Sequence, residues 1–274
     1  MQITQAILPV AGLGTRFLPW TKVVPKELLP IGNVPIIARL VDEALSVGIE
    51  EICFVISKGK ESIPEYFYAM PELEKELQSR GKLHMLEELH RYASVHFHVV
   101  YQHDMKGDGH AILQAKDWMK SEPVAILFGD DLIAGSKTGL QQLKEAYESV
   151  ASNGSLPAML ALENVPREKM KKYGIADIDQ ASSKGRLKRI KGLVEKPEPG
   201  DAPSTLGIVG KYLIPRSTFD ALSMAGASHA GEIRLIDALI KQLEDIKIYG
   251  YEFEGRRYDT GTPEGYKEAV KELG

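Results

Sequence analysis

Four short apolar runs in the first half of the chain, at 5–10, 51–57, 96–101 and 124–128, alternate with stretches of helical periodicity. Nothing else in the sequence narrows the choice of fold as far. The runs have the length and the β-branched content of strands, whereas 34–47 and 109–119 repeat their apolar residues at helical spacing. Strands joined by helices of that length pair through crossovers and lie parallel, with helices covering both faces of the sheet. The expectation is an α/β chain built on a doubly wound, mixed, mostly parallel sheet. Such sheets take ligands beyond the carboxyl ends of their strands, so the residues that follow each run carry the chemistry.

The first run, Ala6-Ile7-Leu8-Pro9-Val10, leads into Ala11-Gly12-Leu13-Gly14-Thr15-Arg16, and Pro25-Lys26-Glu27 follows. Two glycines let the backbone turn tightly and approach a ligand with no Cβ in the way. Successive N–H groups in such a turn form a concavity suited to phosphate oxygens. A dinucleotide fingerprint needs a third glycine where Phe17 stands, and a P-loop needs Gly-Lys-Ser/Thr at its end. Neither pattern is present. Gly-x-Gly alone is compatible with an ordinary strand-to-helix turn. Against that plain turn, Arg16, Lys22 and Lys26 outnumber the single acid Glu27 before residue 30, within a chain of net charge −4. Cations clustered on a Gly/Pro-rich loop favour an anion site.

That net charge, with no long basic stretch, argues against nucleic acid as a partner. No apolar run approaches the roughly 18 residues that a membrane span needs. The N-terminus lacks the pattern of a secretory signal, and Cys53 is the only cysteine, a core position with no partner for a disulfide. Together these point to a cytoplasmic protein. At 274 residues the chain is read as one domain, 1–274. The charged stretch 60–91, broken by Pro64, Pro71 and Gly81, reads as a helical insertion at the surface. The second half is richer in strands, at 158–162, 175–178, 187–194, 206–213 and 246–253, with helices at 216–224, 232–243 and 263–273. Tyr66, Phe67, Trp118 and Tyr147 read as core or interface.

Polar residues cluster at strand ends. The run 124–128 ends in Gly129-Asp130-Asp131, and a carboxylate there faces the ligand crevice. Mg²⁺ bound with a nucleotide favours one or two such oxygens plus phosphates, although Asp130 also suits a turn cap. Asp259 offers a second carboxylate, or belongs to the turn that Thr262 and Pro263 make at a helix start. Glu195-Lys196 closes another apolar run: an acceptor for sugar hydroxyls beside a cation for phosphate, or a surface ion pair. Gln102 presents an amide suited to a nucleobase edge, and Gly107-Asp108-Gly109-His110 follows. His96 and His98 share a strand face with no third metal ligand indicated, which favours packing or solvent.

In order along the chain, the glycine loop with Pro25-Lys26-Glu27, Gln102, Gly107-x-Gly109-His110-Ala111, Gly129-Asp130-Asp131, Tyr173-Gly174, Val194-Glu195-Lys196-Pro197 and Asp259-x-Gly261 resemble the sugar-1-phosphate nucleotidyltransferases. The resemblance covers nearly the whole chain. Leu13 to Pro19, Thr21-Lys22, Lys26 to Pro30 and the helical insertion are similar to the bacterial branch that transfers uridylyl groups. The resemblance implies a Rossmann-like fold with a nucleotide-binding part at about 1–135 and a strand-rich sugar-binding part at about 136–274. It implies transfer from UTP to glucose 1-phosphate, Mg²⁺ as cofactor, and a homodimer or homotetramer. Residue by residue, it implies that Ala11, Gly12 and Gly14 line the nucleotide, with Arg16 and Lys26 on its phosphates. Glu27, Gln102 and Gly107 would meet the uracil, Asp130 and Asp259 the Mg²⁺. Gly174, Glu195 and Gly210 would bound the glucose, and Lys196 would hold its phosphate. Two positions depart from the uridylyl branch: Thr260-Gly261-Thr262 is wording of thymidylyl- and guanylyl-transferring relatives, and Asp108 stands where leucine is usual. Thymidylyl or cytidylyl transfer, or a non-catalytic nucleotide-sugar-binding regulator, are the alternatives.

Overall fold

The computed structural model describes residues 2–152, 156–226 and 231–274. Among the described residues the strands are β1 (Gln5–Pro9), β2 (Pro30–Ile31), β3 (Val34–Pro35), β4 (Glu51–Ile56), β5 (His96–Tyr101), β6 (Val124–Leu127), β7 (Asp131–Ala134), β8 (Ala158–Asn164), β9 (Gly174–Lys184), β10 (Leu187–Glu195), β11 (Leu206–Ile214), β12 (Ile248–Glu252) and β13 (Arg256–Asp259). The α-helices are α1 (Ile36–Leu45), α2 (Ser62–Glu65), α3 (Pro71–Ser79), α4 (Leu86–His90), α5 (Asp108–Leu113), α6 (Gly139–Val150), α7 (Arg216–Ala225), α8 (Leu235–Lys241) and α9 (Pro263–Leu273). Nine strands form one sheet in the order β5-β4-β1-β6-β11-β8-β12-β10-β9.

Side chains alternate across this sheet as the pleat requires. Ala6 and Leu8 enter one apolar layer with α1 and α6, while Ile7 enters the other with α5, α7 and α8. On β4, Ile52, Phe54 and Ile56 join the first layer, Cys53 and Val55 the second. In α1 the buried Ile36, Ile37, Leu40, Val41 and Ala44 recur at helical spacing and form the stripe that meets the sheet. Each large aliphatic side chain buried this way contributes about 1.5–3 kcal/mol. Helices on both faces match the sequence expectation.

The expectation of a mostly parallel sheet holds for β5-β4-β1-β6 and stops there. β11 runs antiparallel to both β6 and β8, and β10 runs antiparallel to β12 and β9; only β8–β12 restores a parallel pair. For β9 and β10 the reason lies in the connection. β9 and β10 are joined through a short turn at Gly185 (φ +56), which can return a chain only antiparallel. The two faces of β9 also extend well past 175–178, because the hairpin pairing continues to Lys184. α5 and α8 are shorter than the periodicity suggested, the chain beyond Leu113 proceeding through turns. Two short pairs went unread in the sequence: β2 with β3, and β7 with β13. The insertion is helical, and α3 and α4 bury no residue as anticipated, but its first part is not superficial: Lys60, Ile63 and Phe67 are buried.

Candidate active site

β1 delivers the glycine loop to the carboxyl edge of the sheet, beside the ends of β4 and β6. The loop is anchored from beneath. Ser57 Oγ donates to the Ala11 carbonyl at 2.8 Å, and Lys60 Nζ donates to the Val10 carbonyl at 2.6 Å. Gly14 has φ +65, the left-handed region that glycine tolerates, and opens a single 3-10 turn at Thr15–Phe17. Thr21 Oγ1 donates to the Gly14 carbonyl at 2.8 Å and ties that turn down. Around Gly12 the space is open: among the described residues no atom lies within 4 Å of where a Cβ would stand. A cavity of about 250 Å³ opens there, lined by Ala11, Gly12, Lys26, Glu27, Gln102 and Gly107. Of the residues placed on the nucleotide from the sequence, two are absent from this lining: Arg16, which lines a larger neighbouring cavity, and Gly14. The role of Gly14 is to shape the turn.

At the cavity floor Lys26 Nζ donates to Asp130 Oδ2 at 2.5 Å. Burial pushes the Asp130 carboxyl up, but Lys26, with help from Arg257 and Arg16, holds it below the ordinary range. Burial likewise works against the Lys26 ammonium, yet Asp130 and Glu27 keep it above its usual value. Asp259 ends β13, opposite Asp131 of β7 in register. Burial raises its pKa, and the neighbouring Asp131 carboxylate adds to the rise while Arg257 opposes it. Arg16 Nη1 crosses from the glycine loop to the Gly261 carbonyl at 3.3 Å.

Asp130 and Asp259 converge on Gly261. A Cβ there would stand 2.6 Å from Asp130 Oδ2 and 3.1 Å from Asp259 Oδ1. The Asp130 carbonyl, not its carboxylate, receives Thr260 N (2.8 Å) and Oγ1 (3.0 Å), so the side chain is no turn cap. Asp259 does bond Gly261 N (3.1 Å), so the turn reading and the cavity reading both hold for it. Asp131 is committed elsewhere, to Arg257 Nε and to Gly210 N at 2.8 Å. Two carboxylates form an all-oxygen set that fits a hard divalent cation completing its shell with water and phosphate. Among the described residues no cluster of three or more ligating side chains exists.

A second cavity, of about 670 Å³, is lined by Gly174, Glu195, Lys196, Gly210, Arg234 and Arg257 among others. It shares Asp108, Phe128 and Asp130 with the first, so Asp130 stands where the two meet. Lys196 adopts φ +48, which is costly for a side chain bearing a Cβ, by about 1–3 kcal/mol, and is the kind of strain found at functional sites. Its backbone N–H donates to the Tyr173 carbonyl at 3.0 Å and its Nζ lies 3.2 Å from Glu195 Oε1. Gly210 fits because a Cβ would meet Asp131 Oδ2 at 2.5 Å and Phe128 Cβ at 2.7 Å.

Two assignments take a different form in the structure. Glu27 is 1% exposed, and its Oε2 accepts from Lys60 Nζ at 2.9 Å, so the carboxylate is held by protein while the residue lines the cavity wall. Burial raises the pKa of Glu27 and lowers that of Lys60, each partly offset by the other. Gln102 Nε2 donates to the Gly107 carbonyl at 3.0 Å and lies 3.1 Å from His110 Nδ1, which fixes its amide orientation. Sequence reasoning missed Lys60, Arg234 and Arg257. Lys60 follows a strand end in Ser57-Lys58-Gly59-Lys60, and Arg257 stands two positions before Asp259; both signals were legible. Cys53 is buried with its thiol pushed up to about 12, and His98 stacks on Trp118 at 6.0 Å, both as packing residues. Phe67 and Tyr147 are core, while Tyr66 is exposed.

The sequence profile of the family described as Nucleotidyl transferase matches residues 5–274. The UTP–glucose-1-phosphate uridylyltransferase of Bacillus subtilis (strain 168) is 40% identical over 266 residues, covering 97% of this chain and 89% of that relative. A UDP-glucose pyrophosphorylase solved in complex with UDP-glucose superposes with TM-score 0.86 at 35% identity, covering 99% of this chain and 98% of its own. A UTP-bound UGPase from Acinetobacter baumannii gives TM-score 0.89 at 35% identity, covering 100% and 94%. No described helix is long and apolar enough to cross a membrane. With two adjoining cavities at the strand ends and matches along its whole length, the chain belongs to the nucleotidyl transferase family, in the group of the UTP–glucose-1-phosphate uridylyltransferases.

Proposed function

We propose that the protein transfers the uridylyl group of UTP to α-D-glucose 1-phosphate, giving UDP-glucose and pyrophosphate. The observation that carries this reading is the junction at Asp130, where a cavity with Lys26 adjoins a cavity with Lys196. The kinship to uridylyltransferases selects the base and the sugar. An oxygen of the sugar phosphate attacks the α-phosphorus in line; a P–O bond forms as the bond to the pyrophosphate oxygen breaks, and the electron pair leaves with pyrophosphate. The nucleophile needs no general base, since a phosphate monoester is largely dianionic near neutral pH, its second pKa being about 6. What has to be overcome is repulsion between polyanions and charge growth on the leaving group, so positioning and electrostatics dominate.

In this reading Gly12 admits the nucleotide, Arg16 and Lys26 stabilise the departing pyrophosphate, and Lys196 holds the attacking phosphate while Glu195 accepts from glucose hydroxyls. Asp130 and Asp259 would hold Mg²⁺, which supplies charge neutralisation across the phosphates when bound. A cytoplasmic location and a homodimer or homotetramer belong to the same reading, supported by the lone buried thiol and by exposed Tyr66, Tyr68 and Met70 on the insertion. Pyrophosphate release across UTP, dTTP, CTP and GTP with several sugar 1-phosphates is the test. Turnover should be fastest with UTP and glucose 1-phosphate and should stop with EDTA. Faster turnover with another base overturns the uridylyl assignment, and tight UDP-glucose binding with no release overturns catalysis.

A further inference from the structure

Resting on that reading, we propose that Arg234 is the positioning residue that turns Glu195 and Lys196 toward the sugar phosphate and thereby sets sugar selectivity. Arg234 lines the larger cavity, with its side chain 15% exposed, and its Nη1 donates to Glu195 Oε1 at 3.3 Å. The Lys196 ammonium approaches the same oxygen at 3.2 Å. Both cations therefore sit on Oε1, and among the described residues no hydrogen bond reaches Oε2. That second oxygen lies 3.3 Å from where a Cβ on Gly174 would stand, a place Ile236 Cδ1 already fills at 2.5 Å, so Oε2 sits beside the Gly174 backbone in the wall of the cavity. An acceptor with one oxygen pinned and the other free presents lone pairs in a defined direction to a hydroxyl donor.

The guanidinium is itself oriented. Its Nε and Nη2 donate to the two oxygens of Asp237, at 3.2 and 3.4 Å, in the fork geometry that suits arginine. The backbone on either side is pinned to the wall of the nucleotide cavity. Ile233 N donates to the Lys106 carbonyl at 2.7 Å, and Leu235 N donates to Asp108 Oδ1 at 3.0 Å. Asp108, which departs from the uridylyl branch, also accepts from Gly109 N at 2.6 Å. It thus locks the segment bearing Arg234 to the residues that line the nucleotide. Because Arg234 compensates Glu195, Lys196 is not needed as that carboxylate's sole partner and is free to turn to a substrate phosphate. Without the arginine, Lys196 remains as the one cation on Glu195 Oε1 and is held there, and hydroxyl and phosphate recognition both weaken.

The test is steady-state kinetics of wild type, Arg234→Gln, Arg234→Lys and Asp237→Asn, with each substrate varied in turn and folding checked by thermal melting. Arg234→Gln should raise the KM for glucose 1-phosphate about tenfold or more, the scale of a lost hydrogen bond to a charged group, and leave the KM for UTP within about twofold. Arg234→Lys should recover only part of the loss, because it restores the charge beside Glu195 but not the fork on Asp237, and preference for glucose over galactose 1-phosphate should narrow in Arg234→Gln. Unchanged KM for the sugar phosphate, or equal rises for both substrates, overturns the proposal. Asp237→Asn loosens the fork and keeps the arginine; should Arg234→Gln not fold, an unchanged KM for glucose 1-phosphate in Asp237→Asn overturns it instead. Failure of wild type to make UDP-glucose would strike the functional reading alone. Calorimetric binding of glucose 1-phosphate to wild type and Arg234→Gln then decides the positioning role.

Discussion

Lys26 and Asp130 hold each other ionised, with opposite charges, at the point where the two cavities join. The sign of the coupling follows from the directions of their shifts. A carboxyl held below its ordinary value of 3.8 contributes stability above that pH and loses it as pH falls through the lower, folded value. Lys26→Met removes the strongest influence opposing burial, so the Asp130 titration, followed by side-chain carboxyl NMR, should move upward. The same substitution should lower kcat by about 10²–10³, as for loss of one preorganised donor at a developing negative charge. A titration that stays in place would show that another cation holds Asp130 in solution. Glu27 and Lys60 form the contrasting pair: both are buried, both shift toward neutrality, and their 2.9 Å contact braces the glycine loop from below.

Among the elements, β11 and the β7–β13 pair do most to assemble the site. β13 sets Asp259 opposite Asp131, and β11 closes on them through Gly210, whose N–H bonds Asp131 while its carbonyl receives Phe128 N at 2.8 Å. Gly210→Ala forces a Cβ into Asp131 and Phe128, and should cost about 1–3 kcal/mol in urea unfolding along with activity. Gly12→Ala meets no described protein atom, so its unfolding free energy should stay within about 0.5 kcal/mol while the KM for UTP rises. If Gly12→Ala unfolded as readily as Gly210→Ala, the open space at the loop would not be ligand space.

Across the whole molecule, one buried ion pair spans the change from parallel to antiparallel pairing. Lys211 of β11 is 0% exposed and reaches Glu43 of α1 at 2.7 Å, and the other Glu43 oxygen accepts from Leu140 N at 2.8 Å, at the start of α6. The crossover half, the antiparallel half and the helix between them are thereby tied at one point. Lys211→Met strands a buried carboxylate and should cost about 3–5 kcal/mol by urea denaturation, with the double substitution Glu43→Gln/Lys211→Met recovering part of it. A cost below about 1 kcal/mol for the single change would mean that water reaches Glu43.

Periodicity and strand-end chemistry, both local properties, determined the parallel half of the sheet, the two helical faces, and candidate residues such as Arg16, Gln102, Asp130, Glu195 and Asp259, whereas Gly174 and Gly210 were named through the family resemblance alone. The crossover strands β1, β4, β5 and β6 end close to where their apolar runs end, and a wound sheet gathers those ends on one edge. Tertiary structure decided everything that depends on meetings between distant segments. The antiparallel β9–β10 pairing followed from the short turn at Gly185, and the β7–β13 pair was invisible because each strand has four residues and β13, Arg-Arg-Tyr-Asp, carries no apolar run. Glu27 became a wall held by Lys60, and Arg234 became a neighbour of Glu195, only because long-range packing brought opposite charges within hydrogen-bond reach.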